Sequence, residues 1–109
     1  MPDYKRGDVV LARFHPAYGN ELKKYRPAVI LVDEEKIDKR FVVVAPFSSN
    51  ISETNQFELK IDNPNLEKKS LLLCWYIRTM DRMRVVKRLG KLSEKDIELM
   101  GEKLRKLII

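Results

Sequence analysis

Few side chains in this 109-residue sequence can carry covalent or metal chemistry. There is one cysteine, Cys74, and one histidine, His15. A zinc site needs several such ligands, so none can be assembled from them. Four glycines, Gly7, Gly19, Gly90 and Gly101, cannot build a phosphate-binding loop or a dinucleotide fingerprint. His15 could formally join a serine and an aspartate, but no nucleophile elbow is present. What the chain does concentrate is cationic charge. Residues 78–91 hold Arg78, Arg82, Arg84, Lys87, Arg88 and Lys91 against Asp81 alone, a local excess of +5 in a chain of net charge +6. Such a stripe can neutralise phosphates and steer a nucleic acid. It suits a solvated surface, or a docking site for an acidic protein segment, equally well. Any catalysis here must work without a metal, a nucleotide cofactor or a conventional triad.

Cleavage of RNA meets that condition. The substrate brings its own nucleophile, the 2′-hydroxyl, which attacks the adjacent phosphorus in line. The protein has to position the strand, move protons at the 2′-oxygen and the leaving 5′-oxygen, and stabilise the phosphorane charge. Arginine suits the last task because its planar fork grips phosphate oxygens. DNA lacks the nucleophile, so selectivity for RNA would follow from the reaction itself.

The elements that would position these groups read as short strands and one closing helix. Gly7 to Phe14 alternates loosely, and Ala28 to Val32 and Phe41 to Phe47 are near-continuous apolar runs, as in strands buried on both faces. Gln56 to Ile61 alternates cleanly, Leu71 to Ile77 is a fifth run, and Val85-Val86 opens a sixth. Segments 15–26, 33–40, 48–55 and 62–69 read as loops, the last through Asp62-Asn63-Pro64-Asn65. Ser93 with Asp96 three residues on starts a helix, in which Ile97, Met100, Leu104, Leu107 and Ile108 recur at helical spacing. The class is mainly β (α+β), a small, strongly curved sheet or barrel with a C-terminal helix. One domain, 1–109, is expected at this length. A lone cysteine suits a reducing cytoplasm, and no apolar run is long enough for a membrane span or a signal peptide.

Three segments, in order, resemble the MazF/PemK family of toxin endoribonucleases. The first is Gly7-Asp8-Val9-Val10, then Pro16, Gly19, Asn20, Glu21 and Arg26-Pro27-Ala28. The second is Val43-Val44-Ala45-Pro46-Phe47-Ser48-Ser49. The third is Ile77-Arg78-Thr79-Met80-Asp81, followed by Leu89-Gly90-Lys91-Leu92-Ser93 and the final helix. The likeness runs from about Asp3 to Leu107. It implies an SH3-like barrel that forms a homodimer, needs no metal or other cofactor, and cuts single-stranded RNA. It also implies a cognate antitoxin whose acidic, disordered segment competes with RNA.

Family members place an arginine just before the second strand and a threonine after the third at the cleavage site. The matching positions are Arg26 and Ser48, where serine keeps the hydroxyl and drops the methyl. Substrate contacts are implied at Asn20, Glu21, Asp33, Tyr76 and Arg78. Several depart from the family's residues: Asn20 replaces a frequent Ser or His, Asp33 an Asn, and Tyr76 a glutamine. Leu73 and Trp75 stand where some members use an Arg and an Asp, so that version of the mechanism lacks support. Arg78 and Asp81 are alternatively a structural ion pair holding a turn. On a strand Trp75 and Tyr76 would point oppositely, one toward a groove and one toward the core or a dimer contact. Two other functions stay open at this point: a binding module that has lost cleavage, and a gyrase-directed toxin on a related barrel. The cleavage sequence would depend on loops 15–26 and 48–55.

Overall fold

Seven antiparallel strands and one helix organise the chain, which the computed structural model describes over residues 3–14, 25–51 and 54–109. The strands are β1 (Asp8–Arg13), β2 (Tyr25–Ile30), β3 (Phe41–Ser48), β4 (Glu58–Ile61), β5 (Ser70–Leu73), β6 (Arg78–Asp81) and β7 (Val85–Lys91). They form one sheet in the order β4-β5-β3-β2-β1-β7, with β6 also paired to β3. The helix α1 spans Glu94–Ile108, and the Ser93 hydroxyl accepts from the Asp96 backbone N–H at 3.1 Å. That bond satisfies one of the first-turn donors the helix cannot satisfy itself. The mainly β class with a C-terminal helix is thus borne out.

The sheet is curved but not closed. Among the described residues no strand pairing joins β4 to β7, the two ends of the path. The 62–69 loop spans the gap instead: the Asn63 amide donates to the Lys91 carbonyl at 3.2 Å.

Curvature gives the sheet two cores, one on each face. Val9, Val29, Ala45, Phe47, Leu72 and Cys74 pack beneath α1 with Met100, Ile97 and Leu104. Val10, Ala12, Ala28, Ile30, Val42, Val44 and Met80 pack on the other face with Tyr4 and Phe14. Strands β1, β2 and β3 are therefore buried on both sides, which is why Ala28 to Val32 and Phe41 to Phe47 are near-continuous apolar runs rather than alternating ones. Gly7, in the turn just before β1, has φ +97°, and a Cβ there would lie 2.4 Å from the Ile97 side chain. Only glycine satisfies both conditions. A Cβ built on Gly101 of α1 would lie 3.3 Å from the Arg6 guanidinium.

Two expected boundaries move. The 71–77 run is not one strand: β5 ends at Leu73, residues 74–75 turn, and β6 starts at Arg78. Both pieces pair with the long β3, β5 at Phe47 and Ser48 and β6 at Phe41 to Val44. The break lets one strand edge serve both parts of the bent sheet. Strand β2 begins at Tyr25 rather than Ala28, so Arg26 lies inside the strand, opposite Ala12. Cys74 is fully buried, and desolvation pushes its thiol up to about 11. Native protein at pH 8 should leave a thiol reagent unreacted and consume one equivalent only in denaturant. Rapid native labelling would contradict this burial.

Candidate functional site

A groove of about 680 Å³ opens where β1, β2, β7, the end of β3 and the 62–69 loop converge. Its apolar floor includes Leu11, Pro27 and Leu89, with Tyr25 at its side. Arg26 and Ser48 both line it, so the two expected cleavage-site residues share one concavity although 22 positions apart in sequence. Strand pairing explains the meeting. Ala28 of β2 faces Pro46 of β3, which carries the start of β2 and the end of β3 past the same end of the sheet. Arg26 is exposed and Ser48 half-buried. The Ser48 Oγ accepts from the Asn50 backbone N–H at 3.2 Å, fixing the turn out of β3. A hydroxyl bound as an acceptor retains its own proton to donate.

The other expected contacts are dispersed. Asn20 and Glu21 lie outside the described residues, as does His15. Asp33 lines a different depression with Lys5, Arg6, Lys36 and Lys91. Its carboxylate accepts from the Arg6 backbone N–H at 2.7 Å, and that bond lowers its pKa below the usual carboxylate value. Tyr76 sits in the turn after β5, its N–H bonded to the Leu73 carbonyl at 3.0 Å. It is not among the groove's lining side chains. Trp75 and Tyr76 do not alternate as strand residues would. Both are exposed, their rings 5.4 Å apart and tilted, and the indole N–H of Trp75 donates to Glu58 at 2.6 Å. Arg78 stacks over Phe14 at 5.7 Å. Three residues apart on β6, Arg78 and Asp81 leave opposite faces of the strand. Asp81 instead accepts from the Met83 backbone N–H at 2.8 Å, capping the short 3-10 turn Arg82–Arg84.

The cationic 78–91 stretch does not form one stripe. Arg82 pairs with the buried Glu34 and stacks over Tyr4 at 4.6 Å. Arg88 approaches the buried Asp8 at 3.0 Å and lies over the same ring at 5.3 Å. Arg84 donates to the Arg13 carbonyl at 3.3 Å. Lys87 enters the groove, whereas Lys91 lines the depression around Asp33. Strand alternation and two β1–β7 register shifts distribute the charges over several surfaces. Two of the six have buried carboxylates as partners, so the local excess overstates the charge offered to a ligand.

The 62–69 loop supplies groove residues that turn chemistry alone did not suggest. Asn65, Leu66, Glu67 and Lys68 form one wall. An Asn-Pro-Asn sequence announces a turn but not where it lies. The one local sign was Gly90, whose missing side chain makes room for Asn65.

Comparison with known proteins agrees with this architecture. The family model for the PemK-like, MazF-like toxins of type II toxin–antitoxin systems matches residues 5–108. A protein named endoribonuclease MazF from Staphylococcus saprophyticus is 33% identical over 98 residues, covering 86% of this chain and 82% of its own. Its namesake from Staphylococcus epidermidis is 34% identical over 94 residues, covering 83% and 78%. Among solved structures, MazF from Deinococcus radiodurans superposes with a TM-score of 0.79 at 21% identity, over 99% of this chain and 98% of that one. A MazE–MazF complex from the same organism gives 0.75 at 18% identity, over 99% and 97%. With a family match across nearly its whole length and relatives at one-third identity, the chain belongs to the PemK-like, MazF-like toxins of type II toxin–antitoxin systems.

Proposed function

We propose that this protein is an endoribonuclease toxin that cuts single-stranded RNA without a metal, using the substrate's own 2′-hydroxyl. The observation that carries the reading is the meeting of Arg26 and Ser48 in one groove. In that groove the Arg26 guanidinium binds the non-bridging oxygens of the scissile phosphate. It gains most when the phosphorane adds negative charge. The Ser48 hydroxyl donates a second, neutral hydrogen bond to the same oxygens. As the 2′-oxygen bonds to phosphorus, its proton leaves, the P–O5′ bond breaks, and the 5′-oxygen takes up a proton. The products are a 2′,3′-cyclic phosphate and a 5′-hydroxyl. Asn20, Glu21, Asp33, Tyr76 and Arg78 remain proposed substrate contacts on the strength of the resemblance. Glu21 is the candidate for proton transfer.

The relatives' names and the MazE-bound structures support the same reading, and with it a cognate antitoxin. We take that partner to bring an acidic, disordered segment that competes with RNA and folds on binding. A homodimer is proposed as the working form, since one domain this small offers limited surface to grip both RNA flanks. Sedimentation at micromolar concentration should show a dimer; monomer alone would contradict it. The test of the activity is incubation with a long RNA in EDTA, with both product ends mapped. Discrete cuts bearing cyclic-phosphate and 5′-hydroxyl ends are expected. Cutting only after divalent metal is restored would overturn the metal-free claim.

Lys87 gives a further expectation. It is the one basic residue of the 78–91 stretch that lines this groove. Lys87→Ala should weaken binding of all RNA sequences alike and reduce the slope of log affinity against log salt by about 1. Binding of oligonucleotides across a salt series checks this. An unchanged slope would place the phosphate track elsewhere.

A further inference from the structure

Resting on the ribonuclease reading, the geometry points to Glu67 as a specificity-determining residue: from a braced wall of the groove it accepts a hydrogen bond from the amino group of an RNA base.

The wall is held at both ends. Asn63 is buried, and its amide donates to the Lys91 carbonyl of β7. Its Oδ1 accepts from both the backbone N–H and the side-chain amide of Asn65, each at 2.9 Å. Asn65 then lies so close to Gly90 that a Cβ there would meet its amide nitrogen at 2.0 Å. At the other end Ser70 starts β5 and its hydroxyl donates to the Lys68 carbonyl at 3.0 Å. Next in β5, Leu71 is the cross-strand partner of Ser48. Glu67 and Lys68 therefore stand on a loop anchored to β7 on one side and to the Ser48 end of the sheet on the other.

Charge says what Glu67 is for. Arg26, Lys68 and Lys87 also line the groove, and Glu67 is the single carboxylate among the described lining residues. It is exposed and makes no ion pair within the described part of the chain. A carboxylate repels the phosphates that the three cations attract, so it opposes binding unless it meets a hydrogen-bond donor. Bases supply that donor. Cytosine, adenine and guanine carry exocyclic amino groups, which carboxylates accept from, whereas uracil carries none. Single-stranded RNA presents these edges unstacked and open to side chains. Lys68, adjacent in the chain, is placed to hold the phosphate flanking that base. The expected signature is a preference for an amino-bearing base over uracil at one position beside the cut.

The test maps cut sites in one long RNA with the parent protein, Glu67→Ala and Gly90→Ala, and measures kcat and KM on a short substrate containing the preferred site. Glu67→Ala removes the acceptor and should lose roughly tenfold of the base preference at one position and raise KM, with kcat changed by only a few fold. Gly90→Ala displaces Asn65 and should loosen the same position without touching Glu67. Should that variant not fold, the exposed Glu67→Ala decides alone. An unchanged cut pattern and KM in Glu67→Ala overturns the proposal. A uniform fall in kcat with the pattern intact also overturns it, since Glu67 would then act on a proton at the reacting phosphate. A parent protein that cuts no RNA overturns the ribonuclease reading together with this one, so the two failures are distinguishable.

Discussion

Arg26→Ala should lower the single-turnover rate of RNA cleavage by about 10²–10³-fold while RNA affinity falls only modestly. The asymmetry follows from when the interaction is strongest. Arg26 lines the groove with Lys68 and Lys87, so ground-state attraction for the backbone is shared among three cations. The extra charge of the phosphorane is local, and Arg26 is the cation proposed to meet it. Arg26→Lys should recover part of the loss at most, because an ammonium cannot reproduce the two-pronged hydrogen bonding of a guanidinium. Ser48→Ala should slow the reaction less, removing one neutral hydrogen bond. Ser48→Thr, which keeps the hydroxyl, should be tolerated. Single-turnover rates with binding measured in parallel check the series. A rate unchanged in Arg26→Ala would favour a module that binds RNA or antitoxin without cutting.

The largest effect on stability is expected away from the groove, at Arg82. Its guanidinium pairs with Glu34, and the two side chains are 14% and 5% exposed. Removing one partner of a buried pair leaves the other charge unpaired in a poorly solvated place, at a cost of about 3–5 kcal/mol. Against a typical total of about 5–15 kcal/mol, that is a large share. The Tyr4 ring beneath Arg82 loses a stacking partner as well. Arg82→Ala should therefore move the urea midpoint sharply downward. The double variant Glu34→Leu, Arg82→Met should recover most of the loss, since apolar replacement of both members removes the desolvation penalty with the attraction. If Arg82→Ala leaves the midpoint in place, the pair contributes nothing to folding.

The sequence was most informative where one physical signal dominated. Helix α1 follows from the Ser93 cap and apolar residues at helical spacing. The cores of β2 and β3 follow from apolar runs too long for a half-exposed strand, whereas β1 reads as loosely alternating and its burial on both faces shows only in the fold. Strand β6 was not legible: in Arg78-Thr79-Met80-Asp81 only Met80 is buried, and pairing with β3 rather than local preference makes it a strand. The same pairing removed Trp75 and Tyr76 from a strand and left both exposed. Charge was the least transferable signal. The sum over 78–91 could not show that Glu34 and Asp8, far away in sequence, would take Arg82 and Arg88 as partners. Arg26 and Ser48 became candidates through family resemblance, and the structure adds that they share a groove. Glu67 and Lys68 lay beyond either route, because their place depends on where the 62–69 loop rests.

The central claim is that the RNA's 2′-hydroxyl is the nucleophile at the phosphate held by Arg26. An oligoribonucleotide containing one mapped cut site, compared with the same strand carrying a single 2′-deoxy residue 5′ to that phosphate, tests it directly. The account predicts that the two strands bind with similar affinity in EDTA and that only the all-ribose strand is cut. Cleavage of both strands at the same rate would contradict it.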